Sequence, residues 1–186
     1  LYRKASFLVD GLGQEIFAPH ISLVERPHIK GGLGSAPFDG EGVRTQDRTV
    51  VDRGRLEGHF LSSYTARKLG MTTTGNAAGA HNLIMRSETT TADLDLAALL
   101  KEMGTGLLVT ELIGQGINMV TGDYSRGAFG YWVENGDIQY PVQEITIAGN
   151  LRDMFRHIAL VGNDTVVRGG RKTGSLLIER MAIAGR

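Results

Sequence analysis

Residues 131–140 read Tyr-Trp-Val-Glu-Asn-Gly-Asp-Ile-Gln-Tyr. Asn-Gly between two such runs is the strongest short-range hairpin signal, because a two-residue type I′ turn needs φ > 0 at both central positions. That turn predicts Glu134 facing Asp137, Val133 facing Ile138, Trp132 facing Gln139 and Tyr131 facing Tyr140. With a side-chain period of two, Tyr131, Val133, Ile138 and Tyr140 then share one apolar face. Trp132 falls on the other face, with Glu134, Asp137 and Gln139. The hairpin lies inside a longer run, residues 111–149, that reads as successive strands and tight turns. A chain with this segment is constrained to a β-rich domain.

The rest of the chain agrees with that class. Residues 6–9 and 14–16 read as short strands around Asp10-Gly11-Leu12-Gly13, and 19–25 as extended chain. Residues 30–42 hold five glycines and a proline, and read as a loop of the length used for binding. Residues 43–61 resemble a ribbon turning at Asp52-Arg53-Gly54-Arg55. Ser62 or Ser63 caps a short helix over 64–69, which Gly70 ends. Residues 71–80 form a polar, glycine-rich loop and 81–86 a strand. Leu96, Leu99, Leu100 and Met103 lie on one face of a helix over 91–103, capped by Thr91 or Asp93 and stopped by Gly104. Residues 107–112 read as a buried apolar strand, and 144–148 as another. Asn150 caps a second clear helix, with Leu151, Met154, Phe155 and Ile158 on one face. Residues 160–161, 166–167 and 176–178 complete the strands. The expected fold class is α+β: a mainly antiparallel, twisted sheet or partly barrel-like core with about two packed helices.

Composition narrows the function. Lys plus Arg and Asp plus Glu both number 20, so no global field draws the chain to nucleic acid or to an acidic membrane surface. It has no cysteine, which removes disulfides and thiolate metal sites. No apolar run approaches the ~20 residues of a membrane span. Glycine, 26 of 186 residues, is about twice its usual share and scattered, which means turns rather than a repeat. There is no linker, so 1–186 reads as one domain. The chain opens at Leu1 rather than Met and without a secretory signal, as expected of a piece of a longer cytoplasmic protein.

Chemistry-bearing motifs are sparse. The histidines, at 20, 28, 59, 81 and 157, form no H-E-x-x-H pair. His81, at a loop-to-strand junction beside Asn82, is the one placed to touch a ligand; a structural role is the alternative. None of the G-x-G pairs has the third glycine of a dinucleotide fingerprint. Arg171-Lys172-Thr173 lacks the glycine of a P-loop and reads as a solvated basic turn. Ser125 lacks the spacing of a nucleophile elbow. Arg126 can hold a carboxylate through two parallel hydrogen bonds, or sit in a turn paired with Asp123. Trp132 is either covered by another element or anchors a partner. The strand beginning at Asn82 can accept an extended peptide if it is a sheet edge. A hydrolase built on His59 or His81 lacks any partner at a meaningful spacing.

Several long blocks carry a family resemblance: YRKASFLVDGLGQ, PFDGEGVRT, FLSSYTARKLG, TTGNAAGAHN, LKEMGTGLLVTELIGQGIN, TGDYSRGAFGYWVENGDIQYPVQEITIAGN and TGSLLIERMAIAG. They resemble the PmbA/TldE branch of the TldD/PmbA family of bacterial metalloproteases, over nearly the whole chain. The resemblance implies the C-terminal domain of a longer protein whose N-terminal domain is absent here. It implies a subunit that pairs with a TldD-type subunit, or with itself when alone. The paired enzyme processes unfolded peptides, matures peptide antibiotics and degrades antitoxins. TldD-type subunits carry an H-E-x-x-x-H zinc motif and a later cysteine. This chain has neither, and Thr173-Gly174-Ser175 stands where the cysteine would be sought. The resemblance therefore implies no metal and no catalytic residue in this chain, with zinc on the TldD-type partner. Peptide contact is expected at His81, Asn82 and Arg126, and subunit contact at Trp132. The alternative is a regulatory or peptide-binding module without proteolysis, such as a modulator of DNA gyrase.

Overall fold

The computed structural model describes residues 2–185. Its largest sheet is centred on β1 (Ile21–Glu25), which pairs antiparallel with β2 (Arg48–Asp52) on one side and β4 (Leu83–Ser87) on the other. β3 (Arg55–Leu56) extends it beyond β2. β10 (Arg171–Thr173) runs parallel to β4, and β9 (Val166–Arg168) closes that side. A second sheet runs β12 (Ala182–Ala184), β7 (Asp137–Asn150), β6 (Asp123–Glu134), β5 (Gly106–Ile113), every pair antiparallel. A two-stranded ribbon joins β8 (Ile158–Val161) to β11 (Leu176–Ile178). With helices α1 (Ser63–Lys68), α2 (Leu96–Met103) and α3 (Leu151–Arg156), the architecture is α+β and β-rich, as expected. The described strands lie in separate open sheets and no barrel closes.

Each sheet has its own apolar core. Ile21, Val50, Val51, Leu56, Phe17 and Ile158 fill the first, and Phe7, Tyr124, Ala128, Ile145, Ile147 and Leu151 the second. Leu8 and Phe155 pack against both. Phe155 stacks on Phe17 with ring centroids 4.4 Å apart, so α3 is the rivet between the sheets. Burying such rings supplies the largest apolar areas in a core.

The turns follow backbone chemistry. Asn135 (φ 52) and Gly136 (φ 81) form the expected left-handed pair, as do Arg53 (φ 42) and Gly54 (φ 83) between β2 and β3. Glycine is required at 54 for a second reason: a Cβ there would lie 2.6 Å from the Phe17 carbonyl oxygen. Ser62 caps α1 in a reciprocal box with Thr65, and Asn150 caps α3 by accepting from the Arg152 amide.

Several expectations need correction. Residues 6–9 are a turn rather than a strand, with the Gly11 and Gln14 amides bonding back to the Leu8 and Gly11 carbonyls; residues 14–16 run beside residues 54–56 but form only an isolated bridge, Glu15 to Arg55, not a strand. α2 begins later than expected, because residues 91–94 close their own turn and Asp95, not Thr91 or Asp93, accepts from the Ala98 amide. Ile158 belongs to β8, since α3 ends at Arg156. Arg171-Lys172-Thr173 is strand β10, the turn falling on Gly169 and Gly170 before it. The β6–β7 hairpin keeps the first two predicted pairs and then slips. A bulge pairs Trp132 with Tyr140 and Tyr131 with Pro141. One extra residue moves every later side chain to the opposite face, so Trp132 shares its face with Tyr140.

Candidate functional site

Residues 26–47 and 71–82 form a loop cluster at one end of β1 and β4, and a buried charge holds it. Glu25 ends the apolar strand Ile-Ser-Leu-Val and is only 1% exposed. Its Oε1 accepts from the Asn76 side chain and the His81 amide, both at 2.7 Å. Its Oε2 lies 3.5 Å from Arg48. Arg48 also donates to Asn76 Oδ1 and to the His59 carbonyl. Burial pulls the Arg48 guanidinium below its ordinary pKa, and Glu25 opposes that. Burial, with Arg48 nearby, likewise lowers the His59 imidazole. Asp39 ties the two loops together by accepting from the Glu41, Val43 and Ala77 amides. Burial pushes its carboxyl upward, but those three donors outweigh it and hold it below the usual range. A buried carboxylate with several backbone donors is a structural anchor of this kind.

His81 and Asn82 belong to this framework. Both are buried. The His81 ring bonds the Gly75 carbonyl. Asn82 accepts from the Gly34 amide and donates to the Arg26 carbonyl and Ser35 hydroxyl. Their side chains are therefore engaged within the loop cluster. The strand that follows them, β4, is interior: β1 flanks it along its length, and β10 pairs with Leu83 and Ile84. Strand addition there is closed at its N-terminal half.

The open edges lie elsewhere. β3, β9 and β12 are edges of two or three residues, whereas β5 is an edge of eight. β5 was expected to be buried. It pairs only with β6, and its second half, residues 110–113, is exposed. Leu112, Ile113, Ile117, Met119 and Val120 are between 38% and 57% exposed, an apolar run on the strand end and the loop after it. Long apolar edges are rare in natural sheets unless something pairs with them.

Arg126 lies on β6 beside this end of β5, not in a turn. It makes no ion pair within 4 Å among the described residues. Its Nη2 donates weakly, at 3.4 Å, to the Leu112 carbonyl. Its Nε is the one buried side-chain nitrogen or oxygen without a partner among the described residues. Unsatisfied buried donors cost about 1–3 kcal/mol and call for an explanation. Trp132 stands between Leu107 on β5 and Tyr140 on β7, half-buried, with its indole N–H donating to Glu134. The structure thus splits the four predicted residues: His81 with Asn82 in the loop cluster, Arg126 and Trp132 on β6. Sequence reading missed Glu25, Arg48 and the β5 edge. A charged pair inside apolar strands was the available signal for the first two.

The chain has no cysteine, and among the described residues no three His, Asp or Glu groups gather. His20 bonds Ser87 and the Ile158 carbonyl, His28 bonds Thr45, and His157 bonds the Asp153 carbonyl. No helix among the described residues is long and apolar enough to cross a membrane.

Comparison with known proteins adds the family context. The profile of the PmbA/TldA metallopeptidase C-terminal domain matches residues 1–185. A metalloprotease PmbA homolog of Haemophilus influenzae is 54% identical over 185 residues, which is 100% of this chain and 40% of that protein. The chain thus spans about two fifths of the length of that relative. A solved structure from Thermotoga maritima, described as a proposed modulator of a DNA gyrase, superposes with a TM-score of 0.87 at 38% identity, over 98% of this chain and 43% of that one. TldE from Thermococcus kodakarensis superposes with a TM-score of 0.82 over 100% of this chain and 46% of its own. At 22% identity that last likeness speaks for the fold alone.

Proposed function

The chain belongs to the PmbA/TldA metallopeptidase C-terminal domain family, and from that premise we propose that it is the C-terminal domain of a cytoplasmic, non-catalytic protease subunit. In this reading a TldD-type partner holds the zinc and cleaves the peptide, and this chain presents the peptide to it. The observation that carries the proposal is the whole-chain likeness to a relative named metalloprotease PmbA homolog.

The β5 edge receives the peptide. An unfolded chain laid along it bonds through its backbone, which gives affinity with little sequence selectivity. Exposed Leu112 and Ile113 contact alternate side chains, and Arg126 meets a carboxylate of the bound chain. His81 and Asn82 act one step back, by fixing the loop cluster. Trp132, with exposed Tyr140 beside it, contacts the partner subunit, as aromatic anchors commonly do.

The test is cleavage of an unfolded peptide by the full-length protein, alone and mixed with a TldD-type partner, with zinc quantified on each. Cleavage only in the mixture, with zinc on the partner, is expected. Cleavage by the protein alone, with stoichiometric zinc, would overturn the division of labour. No cleavage in either case, together with capture of gyrase rather than a TldD-type protein, would transfer the assignment to a regulatory module.

A further inference from the structure

A cleft of about 320 Å³ lies between the turn segment 6–16 and α3. Its walls include the apolar side chains of Leu8, Ile16, Val120 and Phe155. Two arginines one helical turn apart, Arg152 and Arg156, also line it. Both heads are held across the cleft by backbone carbonyls. Arg152 donates to the Phe7 carbonyl. Arg156 donates to the Glu15 carbonyl through Nε at 3.3 Å and Nη2 at 2.9 Å. Neither has a carboxylate within 4 Å among the described residues. A guanidinium has five N–H donors, so most remain free on each head.

We propose that this cleft binds a small oxyanion, a carboxylate or phosphate group, between Arg152 and Arg156. The guanidinium fork matches two oxygens of either group. Anchoring by the carbonyls fixes each head before the ligand arrives, so less side-chain entropy is lost on binding. Asp10 is the opposing feature: it also lines the cleft, and its negative charge repels an anion. The site lies on α3 and the first turns, touching the loop that follows β5 only through Val120, and does not depend on the protease reading.

The experiment titrates the full chain with inorganic phosphate and, separately, with butyrate. Ionic strength is held constant with chloride, and amide chemical shifts are followed. The expected result is saturable shifts around Gly11, Gln14 and Phe155. Arg156→Gln should weaken binding at least tenfold, and Asp10→Asn should tighten it several-fold. Saturation by phosphate alone assigns a phosphate ligand, and by butyrate alone a carboxylate. Shifts that never saturate, or that are unchanged in Arg156→Gln, would overturn the proposal. If Arg156→Gln fails to fold, Asp10→Asn decides: unchanged or weaker binding in that variant refutes the site.

Discussion

Glu25→Gln tests the buried charge beneath the loop cluster. Both neutral hydrogen bonds to Glu25 land on Oε1, while Oε2 faces Arg48. Glutamine can keep the two bonds and lose only the charge, turning an amide N–H₂ toward the guanidinium. Removing one member of a buried pair leaves the other uncompensated, at a cost of about 3–5 kcal/mol. The lower end applies here. The contact is 3.5 Å, the Arg48 side chain is 12% exposed, and Asn76 and His59 still accept from it. The expected loss is about 3 kcal/mol, roughly two orders of magnitude in the folding equilibrium. Urea unfolding, followed by the fluorescence of Trp132 in the other sheet, reads it as a lower midpoint at unchanged slope. Adding Arg48→Met should restore part of the loss, because the stranded cation is gone. A loss below about 1 kcal/mol for Glu25→Gln would refute the claim that this pair organises the loops.

Other outcomes follow from local geometry. Asp95→Ala should cost about 1 kcal/mol by removing the α2 cap, read by the same unfolding assay. Gly136→Ala should cost at least about 1 kcal/mol from the positive φ, and more because its Cβ would sit 2.9 Å from the Lys101 Cα. Stability should fall on acidification in two windows. His59 has a lowered pKa, so its contribution is full above the ordinary value of about 6.5 and is lost as pH falls below it; His59→Gln should flatten the slope just below that value. Asp39, also lowered, adds a second loss as pH falls below about 3.9, absent in Asp39→Asn.

Local signals were legible where one residue decides the backbone. Asn135-Gly136, Arg53-Gly54, Ser62 and Asn150 each set their turn or cap. The hairpin's deeper register was not legible, because the bulge that pairs Trp132 with Tyr140 has no signature in the run Asp-Ile-Gln-Tyr. β5 illustrates a different gap. An unbroken apolar run reads as a buried strand, yet position within a sheet is a tertiary property, and β5 ended at the margin. His81 and Asn82 were singled out as ligand contacts, but their partners Gly75, Gly34 and Glu25 lie on other segments of the chain. Nothing in the spacing distinguishes a scaffold of that kind from a binding site.

The proposed role of β5 as the working edge of a protease subunit is open to direct test. Amide hydrogen exchange tests it most directly, on the full-length protein alone, with an unfolded peptide, and with a TldD-type partner and peptide together. Protection is expected across residues 106–113 when peptide is present, with little change in β4. Protection of residues 83–87 instead, or of neither strand while the mixture is cleaving peptide, would contradict it.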